Sequence, residues 1–352
     1  MADYSDRESI SKLAEIDPEF QEWLSNNALP PRDWSKSALD AMRVQRGTEE
    51  KQRAEQSASR GLKEYTQNIT MRDGYESEIR IHKPKSPPDS GSPLVVLLFG
   101  GGFIMGSNMQ LSPYAHALAE TYGATVVNLS YRLAPEHKFP AGPNDVWDSL
   151  IWLAENASSI GADPSAGFIL GGASAGGNLT AVTAQRYVSE KHSPPLTGLW
   201  FSIPAVLVED NVPAKYRDLW FSREQNSEAP ILDNDAINHM LGFYEPDLKS
   251  SLYSPFNATD PHLGLPPSYF QVAGLDPLRD DGLIYEKVLK EHGVKTKLDV
   301  YTGVPHGHFA FLPFLKASQK SNVDSIVGIG WLLGKTANPE EIAKALTPPA
   351  AA

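Results

Sequence analysis

The chain has 352 residues, 41% of them hydrophobic and 21% charged, a balance that suits a globular protein and excludes disordered and fibrous classes. A formal net charge of -12 leaves no basic surplus to neutralise phosphates, so nucleic acid is not an expected partner. The sequence holds no cysteine, which removes disulfides, thiolate nucleophiles and thiolate metal sites, and any covalent nucleophile must be an oxygen or an amine.

The opening Met1-Ala2-Asp3-Tyr4-Ser5-Asp6-Arg7-Glu8 lacks the apolar run of a secretory signal, and no stretch reaches the ~18 apolar residues of a membrane span. A cytoplasmic protein is the expectation. From Ser9 to about Gly61, Ile10, Leu13, Ile16, Phe20, Trp23 and Leu24 recur at spacings of three to four, which predicts an amphipathic helical face. Pro30-Pro31 breaks it, and the charged segment Ser37 to Arg60 reads as a second, thinly apolar helix. Residues 1–60 are too polar for a core of their own and are expected to form a cap arm over a larger domain. A solubilising extension is the bland alternative.

After Gly61 the pattern changes to strand-like runs at Tyr65 to Thr70, Glu76 to His82, Leu94 to Phe99 and Ala124 to Leu129, the last two apolar throughout, as strands buried on both faces require. Between them Ser112 to Gly123 reads as a helix with Ser112 as N-cap, Pro113 at the first position and Gly123 closing it. Strand, helix, strand implies a parallel sheet. The alternation continues with a helix over Asn144 to Asn156, a strand at Gly167 to Leu170, a helix from Gly177, and strands near Leu199, Tyr269 and Leu298. It lapses over about 205–260, an aromatic stretch with Tyr216, Trp220, Phe221, Phe243 and Tyr244, which is the place for a second cap element over the strand ends. The expected division is 1–60 arm, 61–340 catalytic domain with the insertion at about 205–260, and 341–352 flexible tail.

Gly172-Ala173-Ser174-Ala175-Gly176 follows the apolar Phe168-Ile169-Leu170 and precedes a helix, the context of a nucleophile elbow. Small neighbours let a strained turn close, Ser174 Oγ projects above the sheet, and the Ala175 N–H is free to face an oxyanion. Alone, the pattern could be an ordinary turn. Gly100-Gly101-Gly102 after a buried strand offers further main-chain donors, with Gly101 and Gly102 as the choices. The acid and base should follow in the order Ser, Asp, His. Asp276, after Tyr269 to Ala273, and His306, after Leu298 to Tyr301, both stand at strand-to-loop junctions, with Asp280, Asp281 and His308 as competitors. His306 and His308 lack the nearby carboxylates that a metal site needs, so no metal is expected.

Together these residues resemble the hormone-sensitive-lipase-like branch of the α/β-hydrolases over roughly Leu94 to Phe309. The motifs are Gly100 to Phe103, Tyr131-Arg132-Leu133-Ala134-Pro135-Glu136 with Phe139-Pro140-Ala141, Ser174 to Leu179, Asp276 to Gly282, and Tyr301 to His306. The resemblance implies an α/β-hydrolase fold, with a mostly parallel central sheet flanked by helices under a helical cap. It further implies a triad of Ser174, Asp276 and His306, and an oxyanion hole from Gly101, Gly102 and Ala175. Two positions depart from the pattern: Phe99 stands where the family has a histidine that helps fix the oxyanion loop, and Ala173 where it has an aspartate.

The expected reaction is cleavage of a carboxylic ester through an acyl-enzyme, with no metal or organic cofactor. The substrate is a bulky or apolar small molecule held by Phe103, Trp23, Trp34, Trp220 and Phe221. A same-fold lyase or cyclase tailoring a natural product is the alternative, and a non-catalytic small-molecule receptor a more distant one. A homodimer is left open.

Overall fold

Val95 and Leu97 enter one apolar cluster while Leu94, Val96 and Leu98 enter another, as the two-residue period of a strand requires when both faces are covered. In the computed structural model, which describes residues 4–27, 29, 33–57 and 61–346, this strand lies inside an 8-stranded sheet. The strands are β1 (Lys63–Thr70), β2 (Glu76–Lys83), β3 (Leu94–Leu98), β4 (Thr125–Leu129), β5 (Phe168–Ala173), β6 (Gly198–Ser202), β7 (Ser268–Leu275) and β8 (Thr296–Pro305). Their order is β1-β2-β4-β3-β5-β6-β7-β8. The pairs β1–β2 and β2–β4 are antiparallel and the rest parallel, because only the later strands are joined by crossover helices. The α/β-hydrolase architecture expected from the sequence is present.

One face of the sheet carries the Ser112–Tyr122, Lys316–Leu332 and Pro339–Leu346 helices, packed on Val95, Leu97, Val126, Ile169, Trp200 and Tyr269. Two expectations are corrected here. Ser112 is the first helical residue and not the N-cap, since Leu111 holds that position and the Ser112 side chain is fully buried toward Asn128. The stretch expected as a tail from 341 begins instead as the end of the Pro339–Leu346 helix, whose Ile342 is completely buried; residues 347–352 lie outside the described residues. No helix among the described residues is long and apolar enough to cross a membrane.

The N-terminal arm divides in two. Asp17 caps the Pro18–Asn26 helix by accepting from Glu19 and Phe20 N–H at 2.9 and 3.1 Å. That helix buries Phe20 against Tyr301, Val304, Leu312 and Leu315 beside β8. The close approach needs glycine: a Cβ at Gly303, whose φ is +71°, would stand 2.3 Å from the Asp17 nitrogen. The longer Lys36–Ser57 helix instead reaches the open end of the sheet, burying Leu39, Glu50, Ala54 and Ser57. The Pro30-Pro31 break lies outside the described residues.

The 205–260 insertion contains a helix that the sequence reading did not identify, Asn234–Tyr244, capped by Asp233 accepting from Ala236 N–H at 2.8 Å. Two buried carboxylates at the start of the Arg279–Glu291 helix fasten the insertion. Asp281 accepts from Val206 and Leu207 N–H at 3.0 Å each and from Trp220 Nε1 at 3.2 Å. Asp280 accepts from Phe221 and Ser222 N–H at 2.7 and 2.6 Å and pairs with Arg279 at 2.7 Å. These bonds occupy both competitors of Asp276. Asp280→Ala strands two buried N–H groups and a buried guanidinium, so it should cost roughly 3–5 kcal/mol of unfolding free energy. Urea titration checks this, and a loss under about 1 kcal/mol would mean that the insertion is held by its apolar contacts alone.

Candidate active site

Ser174 sits between β5 and the Ala175–Ser189 helix with φ 54° and ψ -117°, a conformation that costs a non-glycine residue about 1–3 kcal/mol. The turn closes because its neighbours have no side chains in the way. A Cβ on Gly172 would meet the Gly176 carbonyl carbon at 2.5 Å, and one on Gly176 would meet Leu98 O at 2.1 Å. Ser174 N–H donates to Ser202 O at 2.8 Å, pinning the elbow to β6.

From the ends of β7 and β8, Asp276 and His306 converge on this serine. His306 Nδ1 lies 2.7 Å from Asp276 Oδ2, and His306 Nε2 lies 2.9 Å from Ser174 Oγ. A carboxylate only accepts, so the ring hydrogen belongs on Nδ1 and Nε2 faces the hydroxyl with a lone pair. Asp276 is completely buried, and its other oxygen accepts from Leu278 N–H at 2.8 Å, which fixes the carboxylate plane. Asn226 reinforces the loop from the insertion, donating to Asp276 O at 2.9 Å. Sequence reasoning missed Asn226, which nothing in its local pattern marks.

The N–H groups of Gly101, Gly102 and Ala175 have no acceptor among the described residues, and all three residues line the same cavity as Ser174 and His306. Gly101 O is occupied, accepting from Ile104 and Met105 N–H at 3.1 Å each. Phe99, in the place of the family's histidine, stacks on Tyr131 at 4.1 Å, and the Tyr131 hydroxyl donates to Phe99 O at 2.9 Å. Ala173 is buried beside the elbow, where it adds no polar group.

The cavity measures about 790 Å³. Of the five aromatic residues expected to hold substrate, Phe103, Trp34 and Trp220 line it, and Trp23 and Phe221 do not. Trp23 packs against Phe20 and Phe314 at 6.2 and 5.9 Å beside β8. Phe221 is buried between the guanidinium groups of Arg7 and Arg279, at 4.0 and 4.8 Å. Both rings serve the attachment of the arm. The walls that sequence reasoning missed come from Ile237, Met240 and Leu241 and from Met42, Phe309 and Phe311. The first three stand at the three-to-four spacing of a helix, the one signal that could have found them.

His308, the competitor of His306, is turned away. Its Nδ1 lies 3.0 Å from Ser318 Oγ, and burial lowers its pKa to about 3. Away from the cavity, ligand-type atoms of Glu64, His82 and His116 lie within 4.8 Å of one another. Arg80 takes one Glu64 oxygen at 2.7 Å, and Asn128 Nδ2 donates to His82 Nε2 at 3.4 Å, which places the His82 hydrogen on the nitrogen facing the cluster. His116 Nε2 lies 2.9 Å from the other Glu64 oxygen, so the set ties β1 to the Ser112–Tyr122 helix, with His82 of β2 beside it.

Comparison with known proteins shows the family of the fold. A family model described as the alpha/beta hydrolase fold matches residues 95–310. An AB hydrolase superfamily protein of Schizosaccharomyces pombe is 39% identical over 269 residues, 75% of this chain and 78% of that protein. The carboxylesterase NlhH of Mycobacterium tuberculosis is 37% identical over 252 residues, 69% of this chain and 74% of its own. Among solved structures, a vibralactone cyclase superposes with a TM-score of 0.83 at 28% identity, covering 93% of this chain and 97% of that one.

The buried His308 yields a pH prediction. Its folded pKa of about 3 lies below the unfolded value of 6.5, so between these values the unfolded chain holds a proton that the folded chain lacks, and stability falls as pH falls. His308→Gln should remove about one proton from the uptake on unfolding near pH 5. That change flattens the slope of unfolding free energy against pH by about 1.4 kcal/mol per unit. An unchanged slope would show that His308 is already charged in the folded protein.

Proposed function

This chain belongs to the alpha/beta-hydrolase family, in its hormone-sensitive-lipase-like branch, and we propose that it is a carboxylic ester hydrolase working through an acyl-enzyme on Ser174. The observation that carries the mechanism is the unbroken chain from buried Asp276 through His306 to Ser174, at 2.7 and 2.9 Å. His306 takes the Ser174 proton as Oγ attacks the ester carbonyl, and Asp276 stabilises the imidazolium that forms. The N–H groups of Gly101, Gly102 and Ala175 receive the oxyanion. His306 then returns the proton to the departing alcohol, and a water activated by the same ring releases the acid.

The walls of the cavity support a reading of the substrate class. A cavity of about 790 Å³, walled by Trp34, Phe103, Trp220, Met240, Leu241 and Phe309, suits a bulky, largely apolar ester. The Lys36–Ser57 helix and the 205–260 insertion act as its cap. A second reading has the acyl-enzyme intercepted by a nucleophile within the same molecule, which yields a ring. The likeness to a vibralactone cyclase favours it, and product analysis separates the two.

A fluorophosphonate probe should label Ser174, and Ser174→Ala should abolish labelling and lower kcat on aryl acetates by on the order of 10⁶. His306→Ala should block labelling while His308→Ala leaves most of it; the reverse pattern would exchange their roles. Trp220→Ala and Met240→Ala should lower kcat/KM about tenfold more for a bulky aryl ester than for the acetate, because remote contacts orient the reacting carbonyl. An unchanged ratio would place the specificity walls elsewhere.

A further inference from the structure

The family's usual loop-fixing histidine is absent, yet Gly100 is clamped at both its main-chain groups. Gly100 N–H donates to Gln110 Oε1 at 2.8 Å, and Gln110 Nε2 donates back to Gly100 O at 3.1 Å. The second Nε2 hydrogen goes to Glu50 Oε1 at 3.1 Å. Glu50 belongs to the Lys36–Ser57 helix of the arm and is only 3% exposed. Its other oxygen accepts from Ser107 Oγ at 2.6 Å, and Arg46 Nε donates to Oε1 at 3.1 Å. A buried carboxylate is costly unless its lone pairs are filled. Here the donors that fill them include two side chains, Ser107 and Gln110, of the chain that follows the three glycines.

We infer that Gln110 and Glu50 are positioning residues for the oxyanion loop, so that the N-terminal arm sets the geometry of the chemical step as well as covering the cavity. The inference rests on the reading of Gly101 and Gly102 as oxyanion donors. The Gly101 N–H shares a peptide plane with the clamped Gly100 carbonyl and the Gly102 N–H follows one residue on, and an error of about 1 Å in such donors costs roughly 10²-fold in rate. Phe99, stacked on Tyr131, offers no polar group that could replace the clamp.

The test compares Gln110→Met, Glu50→Ala and Glu50→Gln in the full-length enzyme with a short aryl acetate, which is too small to need the cap walls. Gln110→Met and Glu50→Ala should lower kcat by about 10- to 100-fold with KM within about threefold of wild type. Glu50→Gln keeps an oxygen for Gln110 and Arg46 and can donate to Ser107, so it should recover most of the loss. Amide hydrogen exchange over Gly100 to Gly106 should quicken in the first two variants and not in the third. Unchanged kcat in Gln110→Met, a KM effect alone, or equal losses in Glu50→Ala and Glu50→Gln would overturn the inference. If wild-type protein neither hydrolyses the ester nor takes the fluorophosphonate, the proposed reaction fails, while the exchange comparison still decides the clamp: faster exchange in Gln110→Met supports it and unchanged exchange overturns it.

Discussion

The backbone of Ser174 is the constraint around which this molecule is arranged. A serine held at φ 54° and ψ -117° would relax unless its surroundings fixed it on every side. Below, Gly172 and Gly176 let β5 and the following helix close against the carbonyls of β3. Beside it, Ser174 N–H is bonded to β6 at Ser202 O. One turn into the helix, Asn178 donates to Ala205 O and Tyr253 O at 2.6 and 2.7 Å, tying the elbow to both ends of the 205–260 insertion. The strain is thus distributed over three strands and the insertion, and the hydroxyl is left as the exposed point of a rigid frame.

Charge is placed with the same economy. Asp276, Asp280 and Asp281 lie within six residues and all are fully buried, yet each faces different donors. Asp280 and Asp281 are saturated by backbone N–H groups, Arg279, Arg223 and Trp220, and hold the insertion in place. Asp276 has one oxygen held by Leu278 N–H and one turned to His306. Position at the end of β7, one strand from β8, decides which of three chemically equivalent side chains meets the histidine. Across the site Glu50 does the corresponding service for the glycine loop, so buried carboxylates anchor both halves of the constellation.

Much of this was legible in the sequence, for identifiable reasons. Runs such as Leu94 to Leu98 have one explanation, a strand covered on both faces, and G-x-S-x-G after such a strand has few others. The order of Asp276 and His306 after Ser174 follows from where successive parallel strands end. Legibility stopped where an aromatic residue had two equally good destinations. Trp23 and Phe20 share a helical face, but that face is satisfied by β8 and never reaches the cavity. Phe221 lies next to Trp220 in sequence, and only Trp220 turns inward. The stripe Ile237, Met240 and Leu241 was visible in principle but sat in a stretch whose prolines and aromatics hid its helical period. The bond from Glu50 to Gln110 spans 60 residues, and no local pattern announces it.

All of these devices converge on one claim, that an ester's acyl group passes through a covalent bond to Ser174 Oγ. The direct measurement is to mix the protein with a slowly deacylating aryl ester, quench in acid on the millisecond scale, and map the acyl mass by peptide mass spectrometry. A covalent route gives a burst of phenol stoichiometric with enzyme and an acyl adduct on the peptide that contains Ser174. Steady turnover with no adduct, or an adduct on any other residue, would contradict it.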